Sequence, residues 1–274
     1  MFSVSKILAV VVTIAISTLA CASPQELWVC ADHNNLPYSN DRQEGFENKI
    51  AQLLAQDLGR KLQYVWWPSS PMFASKIFKR GACDIIMGVP SKAYDLAEPT
   101  QPYYSSTFVF VSRRDRKLEI HSFDDPILRN IRIAVPVVDD GATPAEQELA
   151  QRGIVRNVVG YTPFGDLSKD SQPAELIAAV ARSDVDVAIA WGPLAGYFAQ
   201  RSSVPLKLTP ICAPTEPRSL PQRFSISVGV RHGEDELRQQ IDAELTHRHA
   251  EIRALLESYG IPLVEPDSSP EACK

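Results

Sequence analysis

The chain has 274 residues, of which 45% are hydrophobic and 22% charged, and its formal net charge is −5. This composition suffices for one or two globular domains with a large core, and it excludes an intrinsically disordered chain. The mild acidity argues against nucleic acid or an anionic membrane as a partner, because no basic stripe interrupts the scattered charges.

Residues 1–22 have the pattern of a secretory signal peptide. Lys6 precedes an apolar run that begins at Ile7, and the run is too short to span a bilayer. Ala20-Cys21-Ala22 is a small-x-small cleavage site, so we expect removal of residues 1–22 and a soluble periplasmic protein. A lipoprotein anchored at Cys21 is the alternative, although Thr18 stands where a lipobox has leucine.

Strand and helix periodicities alternate in the first part of the mature chain. A strand at the start of the mature chain runs into the Asp/Asn-rich turn of residues 32–38, and a helix follows in which apolar residues recur from Phe46 to Leu58. The later elements are a strand (Leu62–Trp66), a short helix (71–79) and two strands (Ile85–Val89 and Thr107–Val111). This βαβαβ series predicts a parallel sheet with helices on both faces.

A second, similar series begins near residue 131. Thr143, Pro144 and Glu146 have the spacing of a capping box with proline at the first helical position. The predicted strands are 131–135, 155–159, 185–190, 206–208 and 225–230, and the predicted helices are 143–152, one opening at Pro173, one opening at 191–193, and one long final helix, 234–258.

The two series predict two α/β lobes with a cleft, joined by two crossing segments. The chain is expected to leave lobe 1 near Arg113 and to return near Cys212. Lobe 1 then comprises residues 23–112 and 213–274, and lobe 2 comprises residues 113–212.

The mature chain has four cysteines, an even number that suggests disulfides in an exported protein but allows three pairings. Cys30 and Cys83 are expected on neighbouring parallel strands, and a Cys212–Cys273 bond would attach the carboxyl-terminal tail. We predict these two pairs; free cysteines are the alternative.

Asp32, Asn34, Asn35 and Tyr38 crowd one turn at the carboxyl end of the first strand. Open α/β sheets bind ligands at this end, so the turn is predicted to provide acceptors, amide donors and an aromatic wall. Asp and Asn also favour turns for purely structural reasons, which is the alternative interpretation.

Aromatic residues that are candidates for the cleft are Trp66, Trp67, Tyr103, Tyr104, Tyr161, Phe164 and Trp191. Any of them can instead belong to the core. The predicted cleft retains Trp67, Tyr103, Tyr104 and Trp191. Trp191 is the best candidate, because it lies at a strand-to-helix turn beside Gly192.

Asp139, Asp140 and Thr143 precede a predicted helix, whose amino terminus is a potential anion site. The two carboxylates would repel an anion, which leaves contact with a cation or an amine, or a plain capping turn. The five histidines lack metal-ligand spacing, and the HExxH, GxSxG, GxGxxG and Walker patterns are absent from the sequence. We therefore predict a protein that is not an enzyme, with no metal site and no cofactor of its own.

Several segments together resemble one family over about residues 26–264. They include C-A-D-H-N-N-L-P-Y-S-N (30–40), G-F-E-N-K-I-A (45–51), C-D-I-I-M-G-V-P (83–90) and W-G-P-L-A-G-Y-F-A (191–199). The chain resembles the quinoprotein-dehydrogenase-associated solute-binding proteins, the MxaJ/XoxJ-like group within the family 3 extracellular solute-binding proteins. That resemblance implies a type II periplasmic-binding-protein fold and an accessory role, by protein contact, in activation or maturation of a PQQ-dependent methanol or alcohol dehydrogenase. PQQ would belong to the partner.

The chain departs from the amino-acid receptors of the wider family. Those receptors usually carry an arginine that clamps the ligand carboxylate, whereas residues 90–94 read P-S-K-A-Y. Their Ser-Gly-Thr anion turn is replaced by D-D-G-A-T at 139–143. An alternative function is therefore the receptor of an ABC transporter for a small apolar ligand other than an amino acid. A third is an enzyme on the same fold, such as a dehydratase.

Overall fold

The computed structural model describes residues 25–67, 76–92, 95–137, 143–162, 173–211 and 220–265, which form an α/β fold as predicted. Its strands are β1 (Glu26–Asp32), β2 (Asn34–Asn35), β3 (Ser39–Asn40), β4 (Lys61–Trp67), β5 (Ile85–Pro90), β6 (Glu98–Pro99), β7 (Tyr104–Arg113), β8 (Ile133–Pro136), β9 (Val158–Tyr161), β10 (Val187–Trp191), β11 (Leu206–Pro210) and β12 (Arg223–Val230). The α-helices that lie wholly within these ranges are α1 (Phe46–Asp57), α2 (Pro144–Gln151), α3 (Pro173–Arg182), α4 (Gly192–Gln200), α5 (Asp235–His247) and α6 (His249–Ser258).

Lobe 1 is built on a sheet in which β1 lies between β4 and β5 as parallel strands. β12 runs antiparallel between β5 and β7. α1 covers one face of this sheet, because Phe46, Ile50 and Leu54 recur at helical spacing and are all fully buried. They pack with Val29 and Ile85 of the sheet, and each such side chain stabilises the lobe by about 2 kcal/mol.

Lobe 2 has helices on both faces of a second group of strands. β8 lies between β9 and β10 as parallel strands, and β10 is antiparallel to β7. On one face, Val111 and Ala188 of the strands pack with Ile177 of α3. On the other face, Ile133 of β8 packs with Leu149 of α2.

Strand β7 links the two lobes directly. Tyr104 to Thr107 pair with β12 of lobe 1, whereas Phe108 to Ser112 pair with β10 of lobe 2. The pairing thus changes between Thr107 and Phe108 and not after residue 112, because the crossing segment is one continuous strand. The predicted return crossing near Cys212 lies outside the described residues.

Several predicted elements differ from the observed ones. The predicted helix 234–258 is wrong: α5 and α6 are separate, since Arg248 leaves helical geometry with ψ at 7°. The change of direction lets Ile241 and Ile252 both pack on the core beneath α1. The predicted strand 155–159 is β9, which begins only at Val158, and Val155 is 59% exposed. Of the predicted helix 71–79, residues 76–79 are helical and the rest lies outside the described ranges.

Helix α4 of lobe 2 packs closely on the segment that follows α6 of lobe 1. Gly192 and Gly196 lie one helical turn apart and face this segment, and a Cβ on Gly196 would overlap the carbonyl oxygen of Gly260. A Cβ on Gly192 would lie 2.6 Å from the carbonyl oxygen of Thr107. Tyr197 stacks on Tyr259 beside this contact, with ring centroids 5.8 Å apart. The absence of side chains at the two glycines therefore determines how closely the lobes approach.

We expect Gly196→Ala to destabilise the protein by about 2 kcal/mol, because the added methyl group meets backbone that cannot rotate away. Helix propensity alone predicts the opposite sign, a gain of about 1 kcal/mol for this change inside a helix. Urea unfolding of parent and variant decides between the two. A variant as stable as the parent, or more stable, would contradict the close packing of α4 on Gly260.

Within the described ranges, no helix combines the length and the apolar character needed to cross a bilayer.

Candidate functional site

The carboxyl ends of the parallel strands of both lobes face the same space. In lobe 1, the strands β1, β4 and β5 end at the same edge of the sheet. Ile226 of β12 pairs with Pro90, the last residue of β5, and with Tyr104, the first residue of β7, so β7 begins at the level where β5 ends. In lobe 2, β10 ends at Trp191, which pairs with Phe108. The two sets of strand ends are therefore separated by the length of β7 between Tyr104 and Phe108. This space is the interlobe cleft, the place where open α/β sheets bind ligands.

Three aromatic rings meet where β7, β10 and β12 converge at the cleft. The centroid of Phe108 lies 5.2 Å from that of Trp191 and 6.4 Å from that of Phe224, and Trp191 and Phe224 are 5.8 Å apart. All three are half-buried. We call them the hinge aromatic cluster, and its partly exposed rings suit an apolar or aromatic group. Sequence reasoning found Trp191 and missed Phe108 and Phe224, which only strand pairing brings beside it.

A second group of rings supports the cleft from lobe 1. Phe46 packs against Tyr38 at 5.5 Å and against Tyr104 at 5.9 Å, and Tyr104 contacts Tyr103 at 5.0 Å. Trp191 packs against the lobe 1 core that contains Tyr104, which connects this group to the hinge aromatic cluster. Tyr103 and Tyr104 are only 6% and 7% exposed, so they support the cleft more than they line it. Their pKa values are raised well above the usual value, mainly by burial.

Glu47 is a buried carboxylate beneath these tyrosines. It is 9% exposed, and the Tyr103 hydroxyl donates a hydrogen bond to its Oε1 at 3.5 Å. Burial raises the pKa of Glu47 to about 8, and the hydrogen bond from Tyr103 opposes that shift. Gly88 at the end region of β5 has φ +75°, and a Cβ there would lie 2.5 Å from Oε1 of Glu47. The carboxylate therefore occupies space that only glycine leaves open.

Sequence reasoning did not select Glu47, although a signal was present. The buried face of α1 recurs as Glu47, Ile50, Ala51 and Leu54, so the glutamate lies on the apolar stripe of the helix. A carboxylate near a helix amino terminus is normally read as a favourable dipole contact on the surface. The helical spacing predicts that Glu47 is buried, whereas its residue type alone predicts that it is exposed.

The predicted polar turn is largely occupied by its own hydrogen bonds. Oδ1 of Asp32 accepts from the Asn34 amide at 2.9 Å, and its carbonyl oxygen accepts from the Ser39 hydroxyl at 2.8 Å. Asn34 and Asn35 form β2, which pairs with β3. These contacts build the hairpin that presents half-buried Tyr38, and a ligand contact by Asp32, Asn34 or Asn35 stays a prediction.

Trp67 ends β4 but lies inside lobe 1, where it is 7% exposed and packs with Phe78, Cys30 and Cys83. Its backbone carbonyl accepts a hydrogen bond from the His33 amide at 3.3 Å. The Trp67 side chain therefore belongs to the core, and only the backbone of Trp67 lies at the carboxyl end of the strand.

Thr143 caps α2 as its spacing indicated. Its hydroxyl accepts from the Glu146 amide at 3.3 Å, and its own amide donates to the Glu146 carboxylate at 2.7 Å. The helix amino terminus therefore already holds a carboxylate of its own chain, which leaves little capacity for an external anion. The predicted contacts of Asp139 and Asp140 fall outside the described residues.

The Cys30–Cys83 disulfide is confirmed, with the two Cα atoms 5.5 Å apart. It joins β1 to Cys83, two residues before β5, and β1 and β5 are neighbouring parallel strands. The predicted Cys212–Cys273 bond lies outside the described residues.

One cluster away from the cleft has metal-ligating side chains. Asp57, Glu244 and His247 place ligand atoms within 4.8 Å of one another. Arg248, however, donates to both carboxylate oxygens of Asp57, at 2.6 and 2.8 Å, and lowers the pKa of that carboxyl. Asp57 is thus already paired with a cation, which weakens the cluster as a metal site.

Two α/β lobes whose strand ends face each other, linked by the continuous strand β7, have the architecture of a two-lobed binding protein. The model of the bacterial extracellular solute-binding proteins, family 3, matches residues 27–261, and the chain belongs to this family.

Three relatives agree with the resemblance inferred from the sequence. Protein MoxJ of Paracoccus denitrificans is 31% identical over 92% of this chain and 94% of its own length. The periplasmic binding protein XoxJ from Methylobacterium extorquens AM1 is 34% identical, covers 87% of this chain and 99% of its own, and superposes with a TM-score of 0.71. MxaJ from Methlophaga aminisulfidivorans MPT is 30% identical, covers 87% and 100%, and superposes with a TM-score of 0.73.

Proposed function

We propose that this protein is a periplasmic accessory protein of a PQQ-dependent methanol or alcohol dehydrogenase, and that it acts on the enzyme by protein contact. The resemblance to the MxaJ/XoxJ-like group, which the three relatives support, implies this role. PQQ would be held by the dehydrogenase.

The observation that carries the proposal is the chemistry of the cleft. The hinge aromatic cluster offers partly exposed aromatic rings, whereas Asp32 and Thr143, two of the polar residues predicted to hold a ligand, are hydrogen-bonded within the chain. The Ser91 hydroxyl, in the stretch where amino-acid receptors of the wider family carry a clamping arginine, is 2.6 Å from the Ser227 hydroxyl. A cleft of this kind suits an apolar protein segment better than a charged amino acid.

Movement of the lobes would couple contact to switching. Closure about β7 would bring the strand ends of the two lobes together around a partner segment, which is hinge-type domain closure. The hinge aromatic cluster lies at that pivot and would report the motion.

The role is tested by capture from a periplasmic extract of the native host. The tagged full-length mature protein is expected to retain a quinoprotein dehydrogenase in stoichiometric amount, identified by mass spectrometry, and deletion of the gene is expected to lower PQQ-dependent alcohol oxidation in that extract. The same mass spectra check the predicted amino terminus at Ser23. Unchanged oxidation together with recovery of membrane permease subunits would overturn the accessory role.

The hinge aromatic cluster also favours a second candidate, the receptor of a transporter for a small apolar or aromatic ligand. A saturating ligand stabilises the folded state by mass action, by about 2.7 kcal/mol at 100 times its Kd. A thermal-shift panel of small aromatic compounds is expected to raise the melting temperature of the parent but not of Trp191→Ala. A panel without any shift would dispose of this candidate.

We further infer that the chain is not an enzyme. Glu47, which has a raised pKa suited to proton transfer, is buried and held by Tyr103, so it does not face the cleft as a general base must. Incubation with prephenate-like and alcohol substrates is expected to give no turnover, and turnover that Asp32→Asn abolishes would contradict this inference.

A further inference from the structure

A groove of about 780 Å³ lies on lobe 1 between α1, α6 and the start of β4, away from the interlobe cleft. The cleft lies at the carboxyl ends of the strands, whereas this groove is formed by the carboxyl-terminal half of α1 and the first residues of β4. Tyr259 and Arg60 both line it, and the Tyr259 hydroxyl donates to the carbonyl oxygen of Glu44 at 2.5 Å. We call it the outer groove.

The base of the outer groove is apolar. Leu53, Leu62, Leu255 and Tyr259 are all half-buried: each packs against the lobe 1 core and lines the groove. Each of these side chains therefore keeps part of its apolar surface accessible in the groove, where an apolar side chain of a partner could cover it.

Tyr64 and Trp66 follow Leu62 at alternate positions along β4. Leu62 and Tyr64 are two residues apart and both pack toward the core beneath α1, so they share a face of the strand with Trp66. The rings of Tyr64 and Trp66 stack at 4.4 Å with an interplanar angle of 16°. β4 pairs only with β1 in the part of the chain that the structure describes, so this side of the lobe is a sheet edge.

The charge of the outer groove is opposite to that of the whole chain. Lys49 and Arg60 line its walls, and neither has an ion pair within 4.0 Å among the described residues. Glu251 of α6 also lines the groove, and its carboxylate is already paired with Arg248 at 2.6 Å. The groove therefore presents a net positive charge around an apolar base, in a chain whose formal net charge is −5.

We propose that the outer groove binds an acidic amphipathic segment of the partner dehydrogenase, with apolar side chains on Leu53 and Leu255 and carboxylates on Lys49 and Arg60. This inference rests on the proposed accessory function and specifies its contact surface. Charge complementarity selects this occupant over a second copy of the chain, since a net-acidic chain would have to bring two positively charged grooves together in a symmetric dimer. The groove holds the partner in place, and the cleft remains free to open and close.

The test compares two double charge reversals on lobe 1. Lys49→Glu with Arg60→Glu inverts the groove, and Lys79→Glu with Arg80→Glu makes the same charge change at exposed residues near the disulfide side of the lobe. Binding of each full-length mature variant to the purified dehydrogenase is measured by surface plasmon resonance at low and high salt, after circular dichroism has established that both variants are folded.

The groove variant is expected to bind about 10-fold more weakly at low salt and to lose most of the salt dependence, whereas the control binds like the parent. Equal binding by both variants would overturn the groove while leaving the accessory function intact. Absence of binding by the parent itself would overturn both proposals. A concentration-dependent dimer in sedimentation that only the groove variant loses would identify a second copy as the occupant and would also overturn the proposal.

Discussion

Glu47→Gln is expected to make the protein more stable than its parent above pH 8 and to remove most of the pH dependence of stability between pH 5 and 9. Burial raises the pKa of Glu47 from 4.5 to about 8 in the folded chain. The folded state therefore holds a proton that the unfolded state releases near pH 4.5, so this contribution to stability is fully present below that pH and is lost as pH rises through 8. The loss is about 4 kcal/mol across this range. Glutamine stays neutral and keeps an oxygen that accepts the hydrogen bond from Tyr103.

The measurement is urea unfolding of parent and variant at pH 5, 7 and 9. Glu236→Gln is a matched control, because this glutamate is exposed on α5 and its removal should leave the pH profile unchanged. If the free energies of unfolding of parent and Glu47→Gln differed by the same amount at all three pH values, Glu47 would not be a buried group that holds a proton in the folded state.

Replacing Cys30 and Cys83 together by alanine is expected to lower the free energy of unfolding by about 3–4 kcal/mol. The bond closes a loop with a sequence separation of 53, so its removal enlarges the unfolded ensemble considerably. Both cysteines are 1% exposed and pack against Trp67 and Phe78, so alanine leaves no unsatisfied polar group there.

The experiment compares unfolding of parent and double variant with and without a reducing agent. The free energy of unfolding of the reduced parent should approach that of the double variant. A further loss when the variant itself is reduced would report the second predicted bond, Cys212–Cys273, and a Cys212→Ala, Cys273→Ala variant is its control. An oxidised parent no more stable than the double variant would contradict a stabilising Cys30–Cys83 bond.

Most elements of the fold were predictable because their signals are local. The apolar spacing from Phe46 to Leu54 predicted α1, and the capping box at Thr143 and Glu146 predicted the start of α2; both are observed. The break at Arg248 was missed, since no glycine or proline marks it and the guanidinium there binds Asp57, a residue far away in the sequence.

The candidate site was predictable only in part. Trp191 was found from its strand-to-helix turn, because local sequence defines that position. Phe108 and Phe224 carry no local signal, and they meet Trp191 only through the antiparallel pairing of β7 with both β10 and β12.

The sequence by itself determined the α/β class, the family and one disulfide, and it predicts an export signal. These features depend on short-range periodicity and on motifs of adjacent residues. The tertiary structure alone decided that Glu47 is buried with a raised pKa, that the hinge aromatic cluster forms, and that Lys49 and Arg60 flank an apolar groove. The physical reason is that burial, dielectric and ion pairing depend on which distant segments pack together, and residue type at a single position does not contain that information.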